Sequence, residues 1–294
     1  LESDSIVVST IYNVLGGETW QNTATDWNTL ALSERSEIVV ENDRISVLNL
    51  SDKAIEGSLG TEVLGLDSLK VLLLSGNSFE GIPLLTGLTE LTTLDVSDNQ
   101  IDLGDLELNA DLFTEDTQYS PQANIGTRDS LTIPQGSSYS FDIGVGGVNN
   151  TYQWKADYYN TFEENFVDVE GETTASLTIS ALGFDNMATY QLEIQNPLLP
   201  GLVVNTEPVQ LWATANLDFT VYGDNDILLD QGSAYALRNQ GPGLPFDSIP
   251  KLENGSFDPE GLVFTNGKVI FENLLLGDYL IAIRSDPNSY LPTY

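Results

Sequence analysis

The chain has 294 residues, 41% apolar and 18% charged, a composition that folds rather than one that stays disordered. Asp and Glu number 44 against 10 Lys and Arg, a net charge of -34, which disfavours nucleic acid and anionic membrane surfaces as direct partners. There is no Cys and no His, so disulfides, thiolate zinc, imidazole triads and His-ligated metals are excluded as well.

The length predicts two or three domains. No Met opens the chain and no basic, apolar leader precedes it; a removed signal peptide is the expectation. The extended segment Ser289 to Tyr294, with no polar tail, predicts a chain that continues. Unbroken apolar runs such as Val71 to Leu74 are too short to cross a bilayer, so no transmembrane segment is expected.

The first element is a short helix. Val8, Ile11, Tyr12 and Leu15 recur at i, i+3, i+4 and i+7, and Gly16-Gly17 ends it. Trp20 and Trp27 follow, with core packing as their expected role. Three stretches then align: Ile45 to Lys53, Leu69 to Asn77 and Leu91 to Asn99. Each fits L-x-x-L-x-L-x-x-N, except that Lys53 stands where Asn is expected. Asn77 and Asn99 are expected to form a ladder, each bonding backbone groups left unpaired at a bend. This pattern resembles leucine-rich repeats over residues 1–118, with Trp20 and Trp27 in a segment similar to a bacterial N-terminal cap. The resemblance implies a concave binding face built from the variable strand positions. Those are Val47, Val71 and Thr93 in one column, Asn49, Leu73 and Asp95 in the next, and Lys70 at the flank.

A polar segment with Pro121 and Gly126 marks a boundary, and the periodicity then becomes two, as in Tyr139, Phe141, Ile143 and Val145. Trp154 and the run Asp185-x-x-Ala-x-Tyr190 resemble the buried strand Trp and the tyrosine corner of an immunoglobulin domain over residues 119–213. Trp154 and Tyr190 are therefore expected to be structural, with Ile143 and Leu192 where the two cysteines usually sit. Tyr152, Tyr158, Tyr159 and Phe162 cluster near the end of the Trp154 strand, a candidate sugar- or peptide-stacking platform. Acids 163, 164, 168, 170 and 172 follow, a candidate calcium loop or a solvated face.

From about residue 214 strands are expected at Leu217 to Tyr222, Ile227 to Leu229, Ser233 to Leu237 and Leu262 to Phe264. Asn266-Gly267 is a tight-turn pair inside a pattern similar to prealbumin-like domains over residues 214–294. Asp224, Asp226 and Asp230 offer a weak calcium loop without the Gly and terminal Glu of an EF-hand. No other cofactor is expected.

The fold class expected is multidomain and mainly β: a short repeat solenoid with a helical cap, then two β-sandwiches. This combination resembles secreted or cell-surface proteins of the Bacteroidota. That likeness implies noncatalytic extracellular recognition or adhesion, the partner being a protein or glycan on another surface. The alternative is a structural subunit or spacer that packs with neighbouring copies of itself. Ser5 and Ser130 lie in Asp-Ser-apolar triplets similar to O-glycosylation acceptors of that group.

Overall fold

A computed structural model describes residues 2–24, 27–114, 116–158, 164–222, 231–238, 247–249 and 261–284. The cap begins with α1 (Glu2–Val14), which buries Val8, Ile11 and Tyr12. Asp4 in its first turn is fully buried and accepts from the Ile45 N–H at 2.8 Å and from the Arg44 guanidinium at 2.9–3.1 Å. A carboxylate suits the positive end of a helix, and here it also staples that helix to the first coil. Tyr12, Trp20 and Trp27 pack mutually at 5.2–5.5 Å between ring centroids, and Arg35 lies 4.5 Å over the Trp27 ring.

The repeats follow: β1 (Ile38–Glu41), β2 (Arg44–Asn49), β3 (Glu56–Ser58), β4 (Val71–Leu73), β5 (Ser78–Gly81), β6 (Thr93–Asp95), α2 (Leu103–Leu108) and β7 (Thr117–Gln118). One sheet runs β1-β2-β4-β6-β7, parallel after the antiparallel β1–β2 hairpin, while β3 and β5 form a separate parallel pair. Opposed residues share a face. Ile38, Leu48, Leu72, Leu94 and Thr117 therefore point together into the core.

The asparagines hold the bends. Asn77 donates to the carbonyls of Leu50, Leu74 and Ser75 and accepts from the Lys53 and Ile55 N–H groups. Asn99 does the same one coil later, donating to Leu74, Val96 and Ser97 and accepting from Phe79. The ladder continues one rung further than the sequence pattern shows. Gln122 donates to the carbonyls of Val96 and Tyr119 and accepts from the Ile101 N–H.

The solenoid thus does not stop at 118, where the sequence placed a boundary. β7 and Gln122 form a last, degenerate coil that runs directly into the next module. Ile125 pairs with Thr206, and the Tyr119 hydroxyl donates to the Pro200 carbonyl at 2.8 Å. The Glu107 carboxylate of α2 accepts from the Val148 and Asn149 N–H groups and from the Asn149 and Asn196 side chains at 2.7–3.2 Å, and Asp102 accepts from the Gly146 N–H. Burial at this contact would raise the Glu107 pKa; the bonds it accepts outweigh that and lower it. Its contribution to stability is therefore present above the usual carboxylate range and is lost as pH falls through the depressed value. Glu107→Ala is expected to cost about 1.5–3 kcal/mol of charged hydrogen bonding, read as a lower urea midpoint at pH 7 and a smaller deficit in acid.

The immunoglobulin-like module contains β8 (Asp129–Pro134), β9 (Tyr139–Asp142), β10 (Thr151–Asp157), β11 (Val167–Asp168), β12 (Ser176–Ile179), β13 (Thr189–Gln195), β14 (Val203–Asn205) and β15 (Val209–Thr220). β9 pairs β12 as one sheet. The other runs β11-β10-β13-β15, with β8 parallel to β15 at its edge. Trp154 is 1% exposed, and the buried Tyr190 phenol donates to the Asn186 carbonyl at 2.7 Å, closing the corner. Burial pushes that phenol well up. Leu192 is fully buried, but the residue of β9 packed on Trp154 is Phe141, 5.0 Å between ring centroids. Ile143 lies past the end of β9 and is half-buried. The strand stops at Asp142, short of the alternation read from Tyr139 to Val145, and its last inward position is Phe141.

The boundary expected at 213/214 lies inside β15, which passes unbroken from one sandwich to the next. The second sandwich adds β16 (Gln231–Arg238), β17 (Asp247–Ile249), β18 (Leu262–Thr265), β19 (Lys268–Leu275) and β20 (Tyr279–Arg284). β15 pairs β19, β19 turns into β18 through Asn266-Gly267, and β16 is flanked by β18 and β17 on one side and β20 on the other. Both turn residues have positive φ, as a tight hairpin of this kind requires. Phe264, Val269, Phe271 and Leu274 give this module its own core. The strand expected at Ile227 to Leu229 lies outside the described residues. No helix among the described residues is long and apolar enough to cross a membrane.

Candidate binding face

The strand register brings the predicted face together. Val47, Val71 and Thr93 are directly opposed in one row, and Asn49, Leu73 and Asp95 in the next. Sequence spacing missed both ends of these rows. Val39 on the antiparallel β1 opposes Val47, and Gln118 opposes Asp95. Val39 is 45% exposed, while Val47, Val71 and Leu73 are half-buried. With strands spaced about 4.8 Å apart, Val39, Val47 and Val71 make an apolar stripe roughly 10 Å long, widened by Leu73.

The polar members are partly engaged. Asn49 accepts from the Ser51 N–H, and Asp95 accepts from the Ser97 N–H and hydroxyl. Lys70 at the flank pairs with Glu41 at 2.8 Å, both half-exposed, beside an open cavity of about 540 Å³ lined by Arg44, Asp67, Lys70 and Glu90 among others. The hydrogen bond from Lys70 to Glu41 raises the lysine pKa and keeps it protonated.

Electrostatics give the face its sign. Residues 1–118 carry 22 acids and 4 bases. All four bases are taken: Arg35 by the Asn28 and Leu30 carbonyls, Arg44 by Asp4 and Asp67, Lys53 by Glu37, and Lys70 by Glu41. The outward field of the solenoid is therefore negative around an apolar stripe.

Asp224, Asp226 and Asp230 lie outside the described residues, as do Tyr159, Phe162 and Glu163. Glu164 pairs with Arg128 at 2.7 Å and Asp168 with Lys155 at 3.4 Å. Among the described residues no group of three or more Asp or Glu could hold a metal ion. Ser5 is on α1 and Ser130 on β8.

The family described as Leucine Rich repeats (2 copies) matches residues 67–108. No curated protein matches the chain. Among solved structures, one described as the crystal structure of PEPR1-AtPEP1 is similar at a TM-score of 0.32 and 23% identity, over 46% of this chain and 22% of that one. One described as the structural basis for Dscam isoform specificity is similar at 0.28 and 12% identity, over 58% and 46%. A chicken TCR structure is similar at 0.25 and 6% identity, over 41% and 82%. The chain thus spans less than half of the first two. What is established is a mainly β, multidomain chain in which a leucine-rich-repeat solenoid leads into an immunoglobulin-like sandwich and a second sandwich.

Proposed function

We infer that this chain is a noncatalytic, extracellular recognition module whose repeat face takes an extended protein segment. The observation that carries this reading is the in-register stripe of Val39, Val47, Val71 and Leu73, left uncovered within a negative field. An apolar stripe gives affinity through burial, and the surrounding charge selects partners with Lys or Arg beside their apolar anchors. The chemistry of the chain supports a noncatalytic role, because without His or Cys the usual nucleophile–base pairs cannot be assembled.

Panning a random peptide library against the whole chain tests this. Enriched peptides are expected to pair apolar anchors with basic residues. Leu73→Asp is expected to weaken their binding at least tenfold, since it puts a charge where an apolar anchor must desolvate. Equal binding by Leu73→Asp, or peptides without basic residues, would remove the face from consideration.

One observation favours a second reading, a stiff spacer in a surface fibre or layer. The 12-residue β15 serves both sandwiches, and Arg238 of the last module lies 5.6 Å over the Trp212 ring of the one before. Growth of particle mass with concentration in light scattering at high salt would support assembly with its own kind. In this reading the last module is a prealbumin-like spacer.

A further inference from the structure

The outer face of the immunoglobulin-like sheet holds a cleft that the repeat face does not explain. Asp157 opposes Thr189, Thr189 opposes Gln210, and Gln210 opposes Ser130. These four polar side chains thus form one row across β10, β13, β15 and β8. Strand alternation puts their neighbours Ala156, Tyr190, Leu211 and Leu131 on the core side and this row on the other. An ordinary outer row would be solvated. Here Asp157 is 1% and Thr189 7% exposed. The row lines a cavity of about 400 Å³, together with the Arg128–Glu164 ion pair.

The lining defines the ligand. Among the described lining residues, three carboxylates, Asp129, Asp157 and Glu164, against one guanidinium disfavour phosphate, sulfate and other anions. Pro208 is the one apolar residue among the described lining residues, which disfavours lipids and aromatic ligands. The volume falls in the range of about 300–1,000 Å³ that small-molecule sites occupy and exceeds what a bare ion needs. Hydroxyls, an amide and carboxylates in one row are complementary to a neutral molecule with several adjacent hydroxyls. A carboxylate has about four acceptor positions, so Asp157 can serve a partner within the fold and a ligand hydroxyl together. We propose that this cleft is a saccharide subsite, binding one or two pyranose units through Asp157, Thr189, Gln210 and Ser130.

Saturation-transfer NMR of the whole chain with methyl glycosides of glucose, galactose, mannose and N-acetylglucosamine tests this. At least one sugar is expected to receive saturation, with Gln210→Leu weakening its binding tenfold or more. Asp157→Asn should weaken it further; because Asp157 is buried, Gln210→Leu and Ser130→Ala on the outer surface serve as the variants that keep the fold. Silence from all four sugars, or equal transfer in Gln210→Leu, overturns the proposal. So does binding of glycine or inorganic phosphate in preference to every sugar. None of these outcomes bears on peptide capture by the repeat face, which shares no residue with the cleft.

Discussion

Lys53→Met is expected to destabilise the cap by about 3–5 kcal/mol, the cost of leaving one member of a buried ion pair alone. Lys53 occupies the ladder position that asparagine fills in later coils, but its ammonium does different work. It donates to Glu37 at 2.8 Å and to the Asn22 carbonyl at 2.6 Å, and both charged residues are under 8% exposed. Glu37 in turn accepts from the Trp27 indole at 2.8 Å and from Ser36. Burial would raise the Glu37 pKa, but the bonds from Lys53 and Trp27 outweigh it and hold it below the usual carboxylate value. In the native chain this pair therefore stabilises above the unfolded glutamate pKa, and the effect is lost as pH falls through the lower folded value. In Lys53→Met the order reverses: burial acts without its main counterweight, the Glu37 pKa rises, and protonation relieves the fold. The deficit against native should then shrink on acidification from pH 7 towards pH 4, measured by urea unfolding with tryptophan fluorescence. Adding Glu37→Gln to Lys53→Met should recover most of the loss. A single variant as stable as native at pH 7 would refute the role given to the pair.

What the sequence made legible is what repeats or alternates locally. The repeat strands, the Asn77 and Asn99 rungs, Trp154 and the Tyr190 corner all follow from spacing within one coil or one hairpin. The cap pair was visible only as a misfit, Lys53 in an asparagine position, because its partner Glu37 belongs to no repeat. Val39 escaped because β1 runs antiparallel to the coils and carries none of their pattern. Asn109, fully buried, donates to the Pro83 and Asp105 carbonyls and accepts from the Leu85 N–H, yet it sits outside any repeat consensus. The junction was hidden for a different reason. Glu107 reaches Asn149 and Asn196 of another module, and such long-range acceptors leave no local signature. The row in the cleft is a matter of register among four strands, which no stretch of sequence contains. Phe141 in place of Ile143 is a shift of one inward position along the strand, because β9 stops at Asp142, and it changes which side chain meets Trp154.

The second large effect concerns where the solenoid ends. A chain cut after Gln118 contains every consensus repeat and ought to fold if the repeats were self-sufficient. It is expected instead to be molten or aggregated, because the open end of a solenoid exposes unpaired backbone and apolar side chains. Gln122 closes that end. Without it the buried Ile101 N–H loses its partner, an orphan costing about 1–3 kcal/mol, and the Val96 carbonyl keeps only the bond from Asn99. Asp98 also loses the pairing of its N–H to the Pro121 carbonyl. The point variant Gln122→Ala in the whole chain isolates the rung itself and is expected to cost about 1–3 kcal/mol by the same count. Gln122→Asn, one methylene shorter, should restore little, because Asn99 already holds the adjoining rung and reach is what position 122 supplies. If residues 2–118 gave a cooperative transition with the denaturant midpoint of the longer chain, the immunoglobulin-like module would be a neighbour only. The opposite result would make it the solenoid's terminal cap, and would explain physically why α2 spends the Glu107 and Asp102 carboxylates on a loop of the next module instead of leaving them to water.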